Sequence, residues 1–277
     1  MNISIIPLIL IGQPYSKRAM NLTPIASVNG YFFHEFFRAK VQSTNHTPLD
    51  VSYESAPWDD PIIAPLLVLW LYLPGYLSNT AAMLGGKWIP EISGMKIYPI
   101  DGGRSLADGN RILGDGKTWN GLLGGTIGGG FLGLITHSIA KNNSVSSAPF
   151  LDPLGTYAEG GSQISEYWFY LGGELSTAFA LGCILGFGCM FGDSAGSLIK
   201  RRLGHLREGS ESSEAPLLDT LPFAVSTFIF GQTFLDPSIV SSPDLLLGMV
   251  ILLLATPIIH RSFNILGYKL GLKSVPY

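Results

Sequence analysis

The stretch WNGLLGGTIGGGFLGLITHSIA, from Trp119 to Ala140, decides the fold class. It contains no Asp, Glu, Lys or Arg, and it matches the roughly 20 apolar residues that a helix needs to cross a bilayer. Gly121, Gly125, Gly129 and Gly133 follow one another at intervals of four, so they form one bare stripe along a helix. Such a stripe favours close packing of another helix, or it leaves room for a lipid chain. The stretch therefore predicts a membrane-spanning helix.

Similar apolar blocks recur along the chain, and short polar stretches separate them. Charged residues make up only 13% of the sequence, whereas a soluble domain has about 25%. The sequence predicts an all-α, polytopic integral membrane protein with about five transmembrane helices. The net charge of −3 and the lack of an arginine-rich arm argue against a nucleic-acid partner. The predicted spans are 62–84, 119–140, 168–191, 221–235 and 245–259, and the short fourth span can be extended to residue 239.

The distribution of Lys and Arg predicts the orientation of these spans. The segments after the first, third and fifth spans carry five, four and three of these residues, whereas the opposite loops between spans carry only Lys141. The N-terminal extension adds four more on that opposite side, but long terminal segments determine topology weakly. By the positive-inside rule, the three basic segments and the C-terminus are cytoplasmic. Residues 1–60 then form an N-terminal extension on the outer side of the membrane, and we assign no chemistry to it. Residues 61–277 form the transmembrane domain, and the candidate active-site loops are 85–119 and 192–220.

The first of these loops contains a glycine-rich motif at the start of the second span. It runs Gly114-Asp115-Gly116-Lys117-Thr118, shortly after Asp101. Gly114 and Gly116 predict a sharp backbone turn that points N–H groups inward, and the helix N-terminus favours an anion. Lys117 and Thr118 can hold phosphate oxygens there. The segment is not a Walker A loop, because Arg111 stands where that loop needs its first glycine. A helix cap with a solvated lysine is the alternative interpretation.

The second loop begins with an acidic residue at the end of an apolar span. Asp193, Ser197, Lys200 and Arg201 recur at helical spacing and predict one polar face. Asp219 opens the fourth span. Two carboxylates beside two cations suit a complex of Mg²⁺ with a nucleotide, with the carboxylates on the metal and the cations on the phosphates. Alternatively, Asp193 meets the interface, Asp219 caps a helix, and the basic run from residue 200 anchors the chain to anionic lipid.

These motifs carry a resemblance to a known family. Four groups of residues look like motifs of the archaeal CDP-archaeol synthases. They are Asp101-Gly102-Gly103; Gly114 to Trp119; Gly192-Asp193 with Gly196-Ser197 and Lys200-Arg201-Arg202; and the closing Leu270 to Lys273 with Val275-Pro276-Tyr277. Asn79 resembles the asparagine of that family's first span. The resemblance covers residues 66–277. The pattern around Asp193 also resembles the CDP-diacylglycerol synthases, which act on ester lipids.

The resemblance implies the reaction and its participants. CTP and a geranylgeranyl ether glycerol phosphate are the substrates, Mg²⁺ is the cofactor, and the cell membrane is the location. The resemblance assigns catalysis to Lys117, Asp193 and Asp219, of which the two aspartates hold the metal. It places Asp101, Gly114, Gly116, Thr118, Ser197, Lys200 and Arg201 at the nucleotide. The family more often has Arg where this chain has Asn120, so a phosphate contact is not carried over to that position.

Two alternatives and several residues stay open at this stage. A transporter or channel is the rival from another functional class, although such proteins keep ionisable residues near mid-membrane, and here the predicted spans hold almost none apart from Glu174. A CDP-diacylglycerol synthase is the other rival. The sequence offers no account of Glu174, and it does not predict the oligomeric state. His260 is interpreted as an interface residue, and Cys183 and Cys189 as small packing residues.

Overall fold

The structure is a computed structural model of the 277-residue chain. It describes residues 60–141, 149–155, 163–204, 216–240 and 245–271. Some predictions concern residues outside these ranges. These residues are the N-terminal extension up to residue 59, and also Arg207, Lys273 and the closing Val275-Pro276-Tyr277.

The described residues form α-helices joined by irregular segments, and within them the backbone pairs as β-structure only in two isolated bridges. The prediction of an all-α protein is confirmed. A 3₁₀ turn, Ile164–Glu166, precedes the fourth helix. The helices are α1 (Ile63–Leu71), α2 (Leu73–Ser93), α3 (Trp119–Ala140), α4 (Glu174–Arg202), α5 (Pro216–Phe234), α6 (Pro237–Val240) and α7 (Leu245–Lys269).

Several of these helices are suited to a bilayer. Among the described residues, α3, α4 and α7 are long and apolar enough to cross a membrane. The pair α1 and α2 adds a fourth candidate if the two helices, bent by 58°, count as one span. Helix α5, which corresponds to the predicted fourth span, falls outside this set. The chain is therefore a multi-pass membrane protein with three or four candidate spans in its described part.

The helix boundaries differ from the predicted spans for identifiable reasons. The first predicted span is broken at Tyr72, because Pro74 has no N–H with which to continue the preceding helix. The third begins at Glu174 rather than Trp168, since Gly172 takes a φ of 83° that ends any helical path. It then continues past Asp193 to Arg202. Helix α7 likewise extends beyond residue 259 to Lys269.

The glycine stripe of α3 is filled by neighbouring helices. A Cβ atom on Gly129 would lie 2.6 Å from the Gly182 carbonyl oxygen and 2.9 Å from Gly186 Cα, both in α4. The same atom would lie 2.7 Å from the hydroxyl of Ser78 in α2. The stripe therefore packs helices closely and leaves no groove for a lipid chain. The opposite face of α3 exposes large apolar side chains at intervals of four, namely Leu123, Ile127, Phe131, Ile135 and Ile139.

Glu174 belongs to a buried polar cluster at the end of the bundle where α3 finishes and α4 begins. His137 Nδ1 lies 2.8 Å from Asp152 Oδ1, and both side chains are fully buried. His137 Nε2 lies 2.9 Å from Glu174 Oε1, at an angle that does not meet hydrogen-bond geometry. Beside this cluster, the Tyr167 hydroxyl donates to Asp236 at 2.8 Å. Glu174 thus lies in the first turn of α4, beside a histidine at one end of the bundle.

Candidate active site

Two lysine–aspartate pairs lie at the other end of the bundle. Lys117, just before α3, lies 2.6 Å from Asp193 Oδ2 of α4. Lys200 of α4 pairs with Asp219 in the first turn of α5. Asp193 and Lys200 are seven residues apart, close to two full helical turns, so they share one face of α4 about 10 Å apart. Three separate segments of the chain therefore bring opposite charges to a single face.

Two glycines in α4 explain how α5 comes close enough to form the second pair. A Cβ atom on Gly192 would lie 2.8 Å from Phe223 Cα, and one on Gly196 would lie 2.8 Å from the Leu218 carbonyl oxygen. Larger residues would push α5 away from α4. Ser197, on the same face of α4, is buried, and Lys200 keeps only 7% of its surface exposed. A lysine buried to this extent needs a carboxylate partner, which Asp219 supplies.

The loop between α2 and α3 is organised around Asp101. The Asp101 carboxylate accepts hydrogen bonds from the Arg111 guanidinium at 2.7 Å and from the N–H groups of Gly103, Leu113 and Gly114 at 2.9 to 3.0 Å. Burial by itself would raise the pKa of the Asp101 carboxyl, but Arg111 and the three N–H donors outweigh it and hold that pKa well below its usual range. Both carboxylate oxygens are thus engaged within the loop, and Asp101 shapes the glycine-rich turn.

The glycine-rich turn sits against the end of α4. Gly114 takes a φ of 91°, and a Cβ atom there would lie 3.2 Å from Nε of Arg201, so the guanidinium lies directly over the turn. Gly116, by contrast, is exposed and is not among the described glycines with positive φ. Only Gly114 therefore makes the sharp turn that the sequence predicts for both. Thr118 is the N-cap of α3, where its Oγ1 accepts from Gly121 N at 3.1 Å.

Arg202 fastens the loop to α4. Its guanidinium lies 2.5 Å from Asp108 Oδ2 and donates to the Arg111 carbonyl oxygen at 2.6 Å. Sequence reasoning missed this contact, because the basic run at residues 200–202 has the ordinary signature of a membrane anchor. No spacing rule links Arg202 to a residue more than ninety positions earlier in the chain.

Comparison with known proteins identifies the family. A family model described as CDP-archaeol synthase matches residues 61–157 and 162–277. The chain belongs to the CDP-archaeol synthase family. Residues 1–60 lie outside that match. A second model, described as the cytidylyltransferase family, matches residues 115–205, which include Lys117, Asp193 and Lys200.

Curated CDP-archaeol synthases align with most of the chain. The protein of Thermococcus gammatolerans is 37% identical over 76% of this chain and 94% of its own length. The protein of Picrophilus torridus is 32% identical over 78% of this chain and 98% of its own length. A solved structure, described as giving structural insight into an intramembrane enzyme for archaeal membrane lipids biosynthesis, is 26% identical and covers 71% of this chain and 92% of that chain, with a TM-score of 0.44.

A cavity of about 820 Å³ also opens beside the loop of this CDP-archaeol synthase homologue. Its lining includes Asp101, Arg104, Trp119 and Asn120, but none of the four paired side chains. The pairs occupy the space between the loop, α4 and α5 themselves, since each lysine lies against its aspartate.

The donor set near the pairs fits a metal ion that brings its own ligands. Within the described ranges, no three His, Cys, Asp or Glu side chains are grouped closely enough to hold a metal ion by themselves. Asp193 and Asp219 offer two carboxylates on neighbouring helices. Magnesium is commonly bound by one or two carboxylates, with water and substrate phosphates as its other ligands. The protein's share of such a ligand set would come from Asp193 and Asp219.

Proposed function

We propose that this protein transfers the cytidylyl group of CTP to the phosphate of an unsaturated geranylgeranyl ether lipid, and releases CDP-archaeol and pyrophosphate. The observation that carries the proposal is the convergence of Lys117, Asp193, Lys200 and Asp219 at one end of the bundle. Two anions must meet in this reaction, so the site needs cations for the phosphates and carboxylates for a metal.

The reaction needs little acid–base chemistry from the protein. An oxygen of the lipid phosphate, already anionic at neutral pH, forms a bond to the α-phosphorus of CTP. The bond from that phosphorus to the β-phosphate oxygen breaks, and pyrophosphate leaves with the electron pair. Catalysis then consists mainly of positioning and of charge stabilisation in the transition state.

Each paired residue has a role in this scheme. Lys117, Lys200 and Arg201 exchange their contacts in the free protein for contacts with the triphosphate. Asp193 and Asp219 would hold Mg²⁺, and the metal would supply positive charge that neutralises the phosphates. The Thr118 hydroxyl and the N-terminus of α3 orient a phosphate, and Ser197 donates its hydroxyl from the buried face of α4. Asp101 supports the site by fixing the turn at Gly114.

The proposed arrangement in the membrane follows from the basic segments. With α5 counted as a span beside the four candidates, five spans put residues 1–60 outside and the loops 85–119 and 192–220 and the C-terminus in the cytoplasm. CTP is a cytoplasmic metabolite of high charge, so its site belongs on that side. The ends of α3 and α4 that carry the charge pairs are the ends that join these basic segments.

The transporter alternative is less consistent with the positions of the charges. The two lysine–aspartate pairs lie at one end of the bundle, and the His137 cluster lies at the other. A transport path keeps its ionisable residues near the middle of the membrane.

A direct assay tests the proposal and its substrate class together. Purified protein receives Mg²⁺, CTP labelled in the α-phosphate, and either the geranylgeranyl ether lipid phosphate or an ester-linked phosphatidic acid. We expect label in a CDP-lipid made from the ether substrate, together with one pyrophosphate per product. A labelled product from the ester lipid alone would reassign the protein to CDP-diacylglycerol synthesis. No labelled lipid from either substrate would refute cytidylyl transfer.

A further inference from the structure

The cavity of about 820 Å³ beside the loop has an apolar wall and a basic rim. The apolar wall includes Ile89 of α2 and both Trp119 and Leu123 of α3. Lys96 and Arg104, from the segment between α2 and α3, are the basic residues of its lining. A cavity that combines these surfaces fits an amphiphile with an anionic group better than it fits a wholly polar or a wholly apolar ligand.

The two cations of the rim have no carboxylate partner in the described ranges. Both side chains are exposed, and neither Lys96 nor Arg104 forms an ion pair with a residue that the structure describes. Asp101 is the acidic residue of the lining, but its side chain is fully buried and its carboxylate is bonded to Arg111. The rim therefore presents positive charge to a ligand, and it favours an anion such as a phosphate.

Asn120 is a polar residue buried at the wall of this cavity. It lies in the first turn of α3 and keeps only 7% of its surface exposed. Within the part of the chain that the structure describes, its carboxamide forms no hydrogen bond with another residue. A buried amide is costly unless it is hydrogen-bonded. Asn120 therefore offers its N–H donors to an oxygen of a ligand in the cavity.

The apolar wall continues onto the face of α3 that points away from the bundle. Exposed apolar side chains follow one another there at intervals of four residues, namely Leu123, Ile127, Phe131, Ile135 and Ile139. At 1.5 Å per residue this stripe is about 24 Å long, which approaches the thickness of the hydrocarbon core of a bilayer. An isoprenoid chain can lie along the stripe while the polar end of the same molecule enters the cavity.

The cavity also shares a wall with the pair of Lys117 and Asp193. The N–H of Ile100, a residue of the lining, donates to the Lys117 carbonyl oxygen at 2.8 Å. From this wall the Lys117 side chain reaches Asp193, with its Nζ 2.6 Å from Oδ2. An extended lysine side chain spans roughly 6 Å, so the backbone of the wall lies within one side chain of the charge pair. The cavity therefore adjoins the proposed site of the triphosphate.

We infer that this cavity binds the lipid substrate, an inference that rests on the proposed function. Lys96, Arg104 and Asn120 hold the glycerol phosphate, and one isoprenoid chain lies along the exposed stripe of α3. The three residues remain unchanged in the reaction. They keep the lipid phosphate beside Lys117, where its oxygen attacks the α-phosphorus of CTP. A nucleoside also suits a carboxamide beside an aromatic ring, but it makes no use of a stripe that leads into the bilayer.

Separate KM values for the two substrates test the basic rim. We expect the double variant Lys96→Gln with Arg104→Gln to raise KM for the geranylgeranyl ether lipid phosphate about tenfold or more, because two charge-assisted contacts are lost. KM for CTP is expected to stay within about twofold. The matched control is Lys87→Gln with Arg261→Gln, which removes two exposed cations that do not line the cavity. An unchanged KM for the lipid, or an equal rise in both KM values, would overturn the inference.

Asn120→Ala distinguishes the lipid from the nucleoside as the occupant. We expect this variant to raise KM for the lipid several-fold and to leave KM for CTP unchanged, since one hydrogen bond to a charged group is lost. A rise confined to KM for CTP would place the nucleoside in the cavity and would overturn the inference. Thermal midpoints in detergent show that each variant is folded.

Photolabelling tests the binding site without turnover. The probe is the ether lipid phosphate with a diazirine in one isoprenoid chain, added in the absence of CTP. We expect label at Leu123 and Ile127 that an excess of unlabelled lipid phosphate removes, and little label at Leu254 and Ile258 of α7, which are at least as exposed. Equal labelling of α3 and α7 would contradict the assigned site. A wild-type protein that makes no CDP-lipid would instead refute the proposed function, whatever the labelling shows.

Discussion

At the scale of single residues, the structure divides the predicted site into side chains that pair between separate segments and side chains that are bonded within the loop. Two ion pairs, Lys117 with Asp193 and Lys200 with Asp219, join separate segments of the chain. Asp101 has both oxygens bonded within its own loop. The sequence motifs do not distinguish Asp101 from the paired residues, whereas the contacts in the structure do.

The role of Asp101 leads to a prediction about stability and pH. Asp101→Asn removes a charge that accepts from Arg111 and three N–H groups, and we expect a loss of about 3 kcal/mol in the free energy of unfolding at neutral pH. The folded-state pKa of Asp101 lies below its ordinary value of 3.8, so the unfolded chain binds more protons in acid. The stabilisation is therefore complete above about pH 4 and declines as the pH falls further.

Thermal unfolding of both proteins in detergent, measured between pH 7 and pH 3, checks this prediction. The difference between wild type and Asp101→Asn is expected to be constant at the upper end and to shrink at the lower end. Asp115→Asn is the control, because Asp115 forms an exposed pair with the same arginine and is expected to change stability little. A difference that grows in acid would contradict the assigned contacts.

At the scale of helices, the glycines of α3 and α4 determine how closely the elements approach. Gly129→Ala would place a Cβ atom 2.6 Å from one backbone oxygen and 2.9 Å from a backbone carbon, and neither atom can rotate away. We expect a loss of about 1–3 kcal/mol in stability from this overpacking, measured as a lower thermal midpoint in detergent.

Gly86→Ala is the matched control for this prediction. Gly86 lies within α2 with open space around its Cα, so an added methyl group meets nothing within 4 Å. We expect stability to be unchanged or to rise by about 0.5–1 kcal/mol, since alanine is the better helix former. Equal effects of the two substitutions would contradict the close packing of α3 against α4.

The sequence predicted the helix boundaries well where the length of an apolar block sets them. It predicted them less well where packing or a local break in the backbone sets them. The predicted span from Trp119 to Ala140 coincides with α3, because this charge-free block begins directly after Thr118, which caps the helix N-terminus. The continuation of α4 to Arg202 could not be predicted from hydropathy, since its last turns are polar. The pairing of Lys117 with Asp193 depends on tertiary approach across 76 residues, and no local pattern contains it.

At the scale of the whole molecule, the bundle has two polar ends with different compositions. One end carries the lysine–aspartate pairs and the loop held by Arg202. The other carries His137, Asp152 and Glu174, and Asp236 with Tyr167. This separation fits an enzyme that receives a charged nucleotide at one surface, with the lipid entering from the side.

The separation predicts which end faces the cytoplasm. In a background of Cys183→Ala and Cys189→Ala, Asp115→Cys marks the end with the charge pairs, and Leu171→Cys marks the opposite end. In sealed, right-side-out vesicles, a membrane-impermeant maleimide is expected to label the variant at position 171 and to spare the variant at position 115 until the membrane is opened. The reverse pattern would invert the proposed topology.

The central claim is that Asp193 and Asp219 bind the metal of the same metal–triphosphate complex. A double-mutant cycle tests this claim most directly. Each of Asp193→Asn and Asp219→Asn is expected to reduce kcat for cytidylyl transfer at least about 100-fold, in protein that remains folded. Because residues that act as a unit are not additive, we predict that the double variant is about as slow as the slower single variant. Losses that multiply in the double variant, or near-normal activity in either single variant, would contradict the account.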